Sequence, residues 1–416
     1  MTTSPASSLA VIGAGVAGCA LIAQLRRSGW QGSISLWEVG WGPGGRASTR
    51  RSRHDATLQI NHGSPLLNIL PSDTAPPPAA PAWAGQAPTL LAPLLAGGWL
   101  EPWEGVIAGL NAEGQLRFNH RHPLSQGTLF QGRGGMGQLA RGLLELAGGG
   151  IETHFGTLVR RLRPAPGGGW QLLDGDDQIL GEADWLVLAS TLLAHPRSQR
   201  TFGWERVPLH QASLELQDPQ LDHGLATLAA IRYQARTNLL LVAQQEASRA
   251  WRQLPFRLLE FEGLAQQRWG LSRLSIQPLP DGRCAVVAHS STIFAEENLE
   301  VVGSGSAMAL QQMPPVSNQR EKEVIEALAT ALATALAPHL AASAIHAARQ
   351  SLMRWGGAFP SEPGLPEELI LCPSSRLGFC GDFVRGPGFG RIEGALRSAE
   401  RLADCLPAAM AAGGRP

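Results

Sequence analysis

Apolar and polar positions change period several times along this 416-residue chain, and each change marks an element. Leu9–Ile12 is a continuous apolar run, as expected of a strand buried on both faces. It enters a turn carrying Gly13, Gly15 and Gly18, and an alanine- and leucine-rich stretch then predicts a helix ending near Gly29. A second strand is predicted over Ser33–Trp37, closed by Glu38. Near Gly132 the text RGGMGQLARGLLELA reads as a glycine turn opening a helix, and Ile151–Phe155 reads as a strand. Trp170–Leu173, a DGDD turn, Gln178–Ile179 and Ala183–Ala189 predict a small antiparallel meander that delivers the chain to a buried strand, Trp185–Ala189. Alternating strands such as Asn238–Ala243 and Arg283–Ser291 follow, then an alanine-rich helical stretch at Val324–Ala342. Leu377–Cys405 closes the pattern as strand, Gly-Asp turn, glycine-rich loop and a helix from near Ile392.

The first of these units carries chemistry. In the segment Gly13, Ala14, Gly15, Val16, Ala17, Gly18, the first glycine allows the tight turn and the second lets backbone approach a pyrophosphate. The third lets the helix pack closely on the strand, and the helix N-terminus faces the anionic phosphates. Glu38, about 20 residues after the last glycine, is placed to accept hydrogen bonds from a ribose. A glycine turn of this spacing can be purely structural; strand, helix, strand and acid together favour the nucleotide reading. Gly42, Pro43, Gly44, Gly45, Arg46, Ala47, Ser48 and Thr49 continue it. Two adjacent glycines bring the chain close to a cofactor, and Arg46 offers charge-assisted donors to a diphosphate; the alternative is a solvated loop with a surface arginine.

Composition narrows the classes. With 34 basic and 34 acidic residues the formal net charge is zero, so neither nucleic acid nor an anionic membrane is an expected partner. Lys322 is the only lysine and Tyr233 the only tyrosine. Cys19, Cys284, Cys372, Cys380 and Cys405 form no C-x-x-C pair, so neither a disulfide framework nor a metal site is expected, and a reducing cytoplasm is. The opening residues lack a basic region before a long apolar core, so no secretory signal is expected. Glu326, Pro338 and His339 interrupt the alanine-rich stretch, which argues against a membrane span.

The Gly42–Thr49 text resembles the second FAD signature of the amine oxidase, phytoene desaturase and renalase-like flavoproteins, and the order of all three glycine-rich segments fits that superfamily. The renalase-like branch is the nearest resemblance. QINHGSPL at Gln59–Leu66 stands where that branch has a glycine-centred, flavin-facing strand, and His289–Leu299 and Ser351–Pro360 agree. The chain departs from it at Asn61 and His62, where small or acidic residues are usual, and at Ser64 and Pro65, which replace aromatics. The resemblance implies an α/β protein of the p-hydroxybenzoate hydroxylase-like kind: a Rossmann-type FAD-binding domain over 1–75, 131–194 and 372–416, interleaved with a mixed-sheet substrate domain over 76–130 and 195–371. The proline- and alanine-rich stretch Pro71–Pro93 is the expected crossing between them.

It also implies non-covalent FAD, with Gly381 and Asp382 at its diphosphate and ribityl region and Glu393, Gly394 and Ala395 at a helix N-terminus aimed at the flavin. His62 is the catalytic candidate, able to orient substrate or tune the flavin, although strand histidines are often structural. Asn61, His289 and Trp355 are the substrate-pocket candidates, and Cys380 is expected to be a small buried side chain. The implied reaction is hydride transfer to flavin from a small nitrogen-containing substrate, foremost dihydronicotinamide isomers, with oxygen as the electron acceptor. Three alternatives stay open: amine oxidation of the monoamine oxidase kind, whose lysine and tyrosine cage this chain lacks; carotenoid desaturation; and a non-catalytic binding module like the Rab GDP-dissociation inhibitors.

Overall fold

In the computed structural model, residues 7–52, 55, 57–70, 87–118, 122–303 and 317–412 are described. Most of the expected crossing Pro71–Pro93 lies outside them. The apolar runs Leu9–Ile12 and Trp185–Leu188 become adjacent central strands of a six-stranded sheet. Its order is 151–155, 34–38, 9–12, 185–188, 377–379, 371–372, parallel throughout except for the last strand. Such strands need cover on both faces. One cover is a helix layer: Val16–Arg27 packs between Gly137–Ala147 and Ile392–Ala412. The other includes the antiparallel meander 161–164, 170–173 and 179–183, where Gly181 leaves room for the Trp37 ring. Ile151–Phe155 is the parallel edge strand beside Ile34–Glu38. The α/β class with a Rossmann-type sheet is therefore as the sequence predicts.

A second, mixed sheet of seven strands runs 349–360, 233–243, 284–290, 271–278, 258–261, 107–110, 116–117. It is antiparallel apart from the pair 258–261 and 107–110. Period-two alternation gives it two unlike faces. Leu239, Leu241, Val286, Ala288, Leu274 and Ile276 point to a core covered by the helices Gln245–Gln253 and Asn318–Leu336. The alternate positions, Leu240, Val242, Ala285 and Val287, point the other way and pack with Ile60. The helices Pro208–Leu216 and Pro219–Ala230, which the sequence places in the substrate domain, pack instead into the core around the six-stranded sheet through Leu209, Leu221 and Leu228. Among the described residues no helix is long and apolar enough to cross a membrane.

Candidate active site

One cavity of about 1030 Å³ reaches from the glycine turn of the first sheet to the inward face of the second. That lies at the upper limit of ordinary small-molecule sites, about 300–1,000 Å³, and leaves room for a large ligand. At the first end, Gly13 takes a positive φ of 110° that L-residues avoid. Gly18 is needed for packing: a Cβ there would stand 2.1 Å from the Gly13 carbonyl oxygen. Gly15 is different, since a Cβ on it would meet nothing within 4 Å and would project into empty space. No side chain caps the helix Val16–Arg27, so its first backbone N–H groups keep their capacity for an anion. Gly44 folds onto this turn, its N–H donating to the Ala14 carbonyl at 2.8 Å while Gly15 and Gly44 form a parallel bridge. Gly13, Gly15, Val16, Ala17, Glu38, Gly44, Gly45, Arg46, Gly381, Asp382 and Ala395 all line the cavity.

Glu38 is held by two backbone donors, Ala14 N–H at 2.9 Å and Gly40 N–H at 2.7 Å. Burial raises its carboxyl pKa, and those donors oppose the rise. Arg46 forms a bidentate pair with Asp382, at 2.6 and 2.5 Å, and also donates to the Ala358 carbonyl. The arginine expected at a diphosphate is thus joined to the aspartate expected at the same place, tying the second glycine pair to the closing motif.

Four expected cofactor residues and one expected pocket residue sit elsewhere. Ala14 and Gly18 do not line the cavity; both are consumed in turn and helix packing. Glu393 turns inward to Arg397 at 2.8 Å and Arg391 at 3.6 Å, because a buried carboxylate needs a cation more than a view of the cavity. Gly394 packs on the loop before it, where a Cβ would stand 2.3 Å from the Gly388 carbonyl oxygen. Asn61 is structural: its Oδ1 accepts from Thr49 Oγ1 and Met136 N–H, both at 2.8 Å. Cys380 is fully buried away from the cavity, and burial raises its thiol pKa. All five cysteines are free.

His62, His289 and Trp355 line the cavity. The rings of His62 and Trp355 lie 5.3 Å apart and within 4° of parallel. His62 Nε2 is 3.2 Å from Ser48 Oγ, and the His62 carbonyl accepts from Asn238 Nδ2 and Trp355 Nε1. Burial, helped by Arg50, lowers the His62 pKa to about 4. Burial, then Arg273, Arg236 and His62, lowers that of His289 to about 3. Both imidazoles are therefore neutral at pH 7. An unfolded chain binds protons on them near the ordinary value of 6.5, so their contribution to stability is complete above that pH and erodes as pH falls toward 4 and 3. His62→Gln is accordingly expected to flatten the loss of stability between pH 6.5 and 4, read as urea midpoints across that range.

Sheet register reveals site residues that sequence reading missed. Met353, Asn238, His289, Arg273 and Glu260 are successive partners across five strands, so their side chains share one face. Trp355 and Arg236 are partners in the neighbouring row. Arg273 is paired with buried Glu260 at 2.7 Å. Nearer the glycine-turn end, Arg197 stacks over Tyr233 at 4.1 Å and donates to Thr191 Oγ1. The available signal was a lone charge inside an otherwise apolar strand, as in Leu258-Leu259-Glu260-Phe261.

A family profile described as an NAD(P)-binding Rossmann-like domain matches residues 11–75. No curated protein sequence matches the chain. Among solved structures, a candidate protoporphyrinogen oxidase from Exiguobacterium sp. 255-15 is similar with a TM-score of 0.61 at 12% identity, over 98% of this chain and 100% of that one. Cyclohexylamine oxidase from Brevibacterium oxydans IH-35A gives 0.59 at 14%, over 97% and 99%. Putrescine oxidase bound to putrescine gives 0.57 at 15%, also over 97% and 99%. At these identities the likeness is one of fold, and it spans nearly the whole chain.

Proposed function

We propose that this protein is an FAD-dependent oxidoreductase of renalase-like type, acting on a small nitrogen-containing substrate. The observation that carries the reading is the single cavity joining an uncapped helix N-terminus and glycine cradle to the inward face of the second sheet. Gly13, Gly15, Val16 and Ala17 would hold the pyrophosphate, Glu38 the ribose, and Gly44, Gly45, Arg46, Gly381, Asp382 and Ala395 the rest of the cofactor. Bound FAD supplies a hydride acceptor and, with oxygen, a route for the electrons onward. We read the attachment as non-covalent; no cysteine among the described residues lines the cavity. Neutral His62, stacked on Trp355, orients the substrate ring.

Isomeric dihydronicotinamides are the leading substrates, since their ring nitrogen expels hydride without a dedicated base. Amine oxidation is the second reading; against it, Lys322, the only lysine, is exposed on a helix and outside the cavity, and Tyr233 is stacked beneath Arg197. Under anaerobic conditions, isomeric dihydronicotinamides are expected to bleach the visible flavin bands rapidly while cyclohexylamine and putrescine do not. Rapid, saturable bleaching by the amines alone would reverse the substrate reading, and a colourless protein that cannot be reconstituted with FAD would remove the cofactor reading.

A further inference from the structure

The floor of the cavity carries cationic side chains that the cofactor reading does not use. Three lining carboxylates are already engaged: Glu38 by backbone N–H groups, Asp382 by Arg46, and Glu260 by Arg273. Arg236 lines the same cavity, is only partly exposed, and has no carboxylate within ion-pair distance among the described residues. Its guanidinium is held by neutral acceptors, the Ala235 carbonyl, Thr292 Oγ1 and Gln234 Oε1, and lies over the Phe359 ring. Burial and neighbouring Arg273 lower its pKa to about 10, with Glu296 opposing, so it stays charged at neutral pH.

Two buried nitrogens complete the arrangement. His289 Nε2 and His62 Nδ1 have no hydrogen-bond partner, and both rings border the cavity. Asn238 is the direct cross-strand partner of His289, and Arg236 lies two residues before it on the same strand face. Arg236 and His289 are thus diagonal neighbours, their α-carbons about 7–8 Å apart by sheet geometry, and the Arg236 charge acts on the His289 ring. A partly buried cation with no direct ion-pair partner, beside an unpartnered imidazole, is costly to maintain unless a ligand completes it.

We propose that the substrate carries an anionic group, carboxylate or phosphate, which docks on the sheet between Arg236 and His289. This places recognition on the second sheet, with Arg236 supplying charge and neutral His289 an N–H donor. It rests on the same cavity being the substrate site, but not on the identity of the cofactor. A substrate whose only charge is an ammonium is disfavoured by the same floor.

The test is calorimetric titration of the purified full chain with benzoate, phenyl phosphate and benzylamine, with the visible spectrum recorded in parallel. One of the two anions is expected to bind at least tenfold more tightly than benzylamine, and the tighter anion identifies the docked group. Arg236→Met is expected to abolish that preference without changing flavin content, and Arg236→Lys to restore part of it. Benzylamine binding as tightly as both anions, no binding of either anion to the wild-type chain, or anion affinity unchanged in Arg236→Met would each overturn the proposal. The wild-type comparison decides even where the variants do not fold. A colourless protein would sink the FAD reading alone, because the heat signal and its dependence on Arg236 need no flavin.

Discussion

A Gly15→Val protein is expected to fold with near wild-type stability and to purify colourless, its affinity for FAD reduced a hundredfold or more, roughly 3 kcal/mol. Gly15 has φ of −70° and extended ψ, a conformation open to L-residues, and a Cβ there meets no protein atom within 4 Å. The added side chain therefore starts into the space beside the uncapped helix N-terminus, where the proposed pyrophosphate would lie. Gly18→Ala is the contrasting control. Its methyl would collide with the Gly13 carbonyl and push the helix off its strand, so the loss there is in folding. Thermal unfolding separates the two, and bound flavin is counted by absorbance. A yellow Gly15→Val protein with normal FAD affinity would refute the placement.

Glu260→Ala carries the largest expected effect on stability. The Glu260 side chain is 2% exposed and that of Arg273 is 11% exposed, so removing the carboxylate strands a buried guanidinium. Breaking such a pair from one side costs about 3–5 kcal/mol, whereas replacing both members by apolar residues is often close to neutral. The double variant Glu260→Met with Arg273→Met is thus expected to recover most of the loss, as measured by chemical denaturation. Equal losses in single and double variants would mean that packing, not charge, holds this row together.

What was legible in the sequence was local. The turn Gly13–Gly18, the acid Glu38 and the helix start at Ile392 each announce themselves within a short window, because a glycine's conformation and a strand's apolar run are properties of neighbouring residues. The floor of the cavity was hidden for the opposite reason. Arg236, Glu260, Arg273 and His289 come together only through the pairing of four strands, and a shift of one residue in any pairing would send them to the other face. Glu393 and Asn61 show the same limit: their partners, Arg397 and Arg391 for one and Thr49 with Met136 for the other, were invisible until the chain was folded.

The cradle is closed by the last stretch of the chain. Strand 377–379 docks beside 185–188, Asp382 clasps Arg46 across 336 residues, and the helix Ile392–Ala412 packs on Val16–Arg27. During synthesis the glycine turn leaves the ribosome early, yet the site it begins waits for almost the entire polypeptide. Nascent chains halted before residue 377 have neither clasp nor closing helix, and on the FAD reading are expected to lose tight cofactor binding. On that reading, loading with cofactor would report that translation has run past the closing motif.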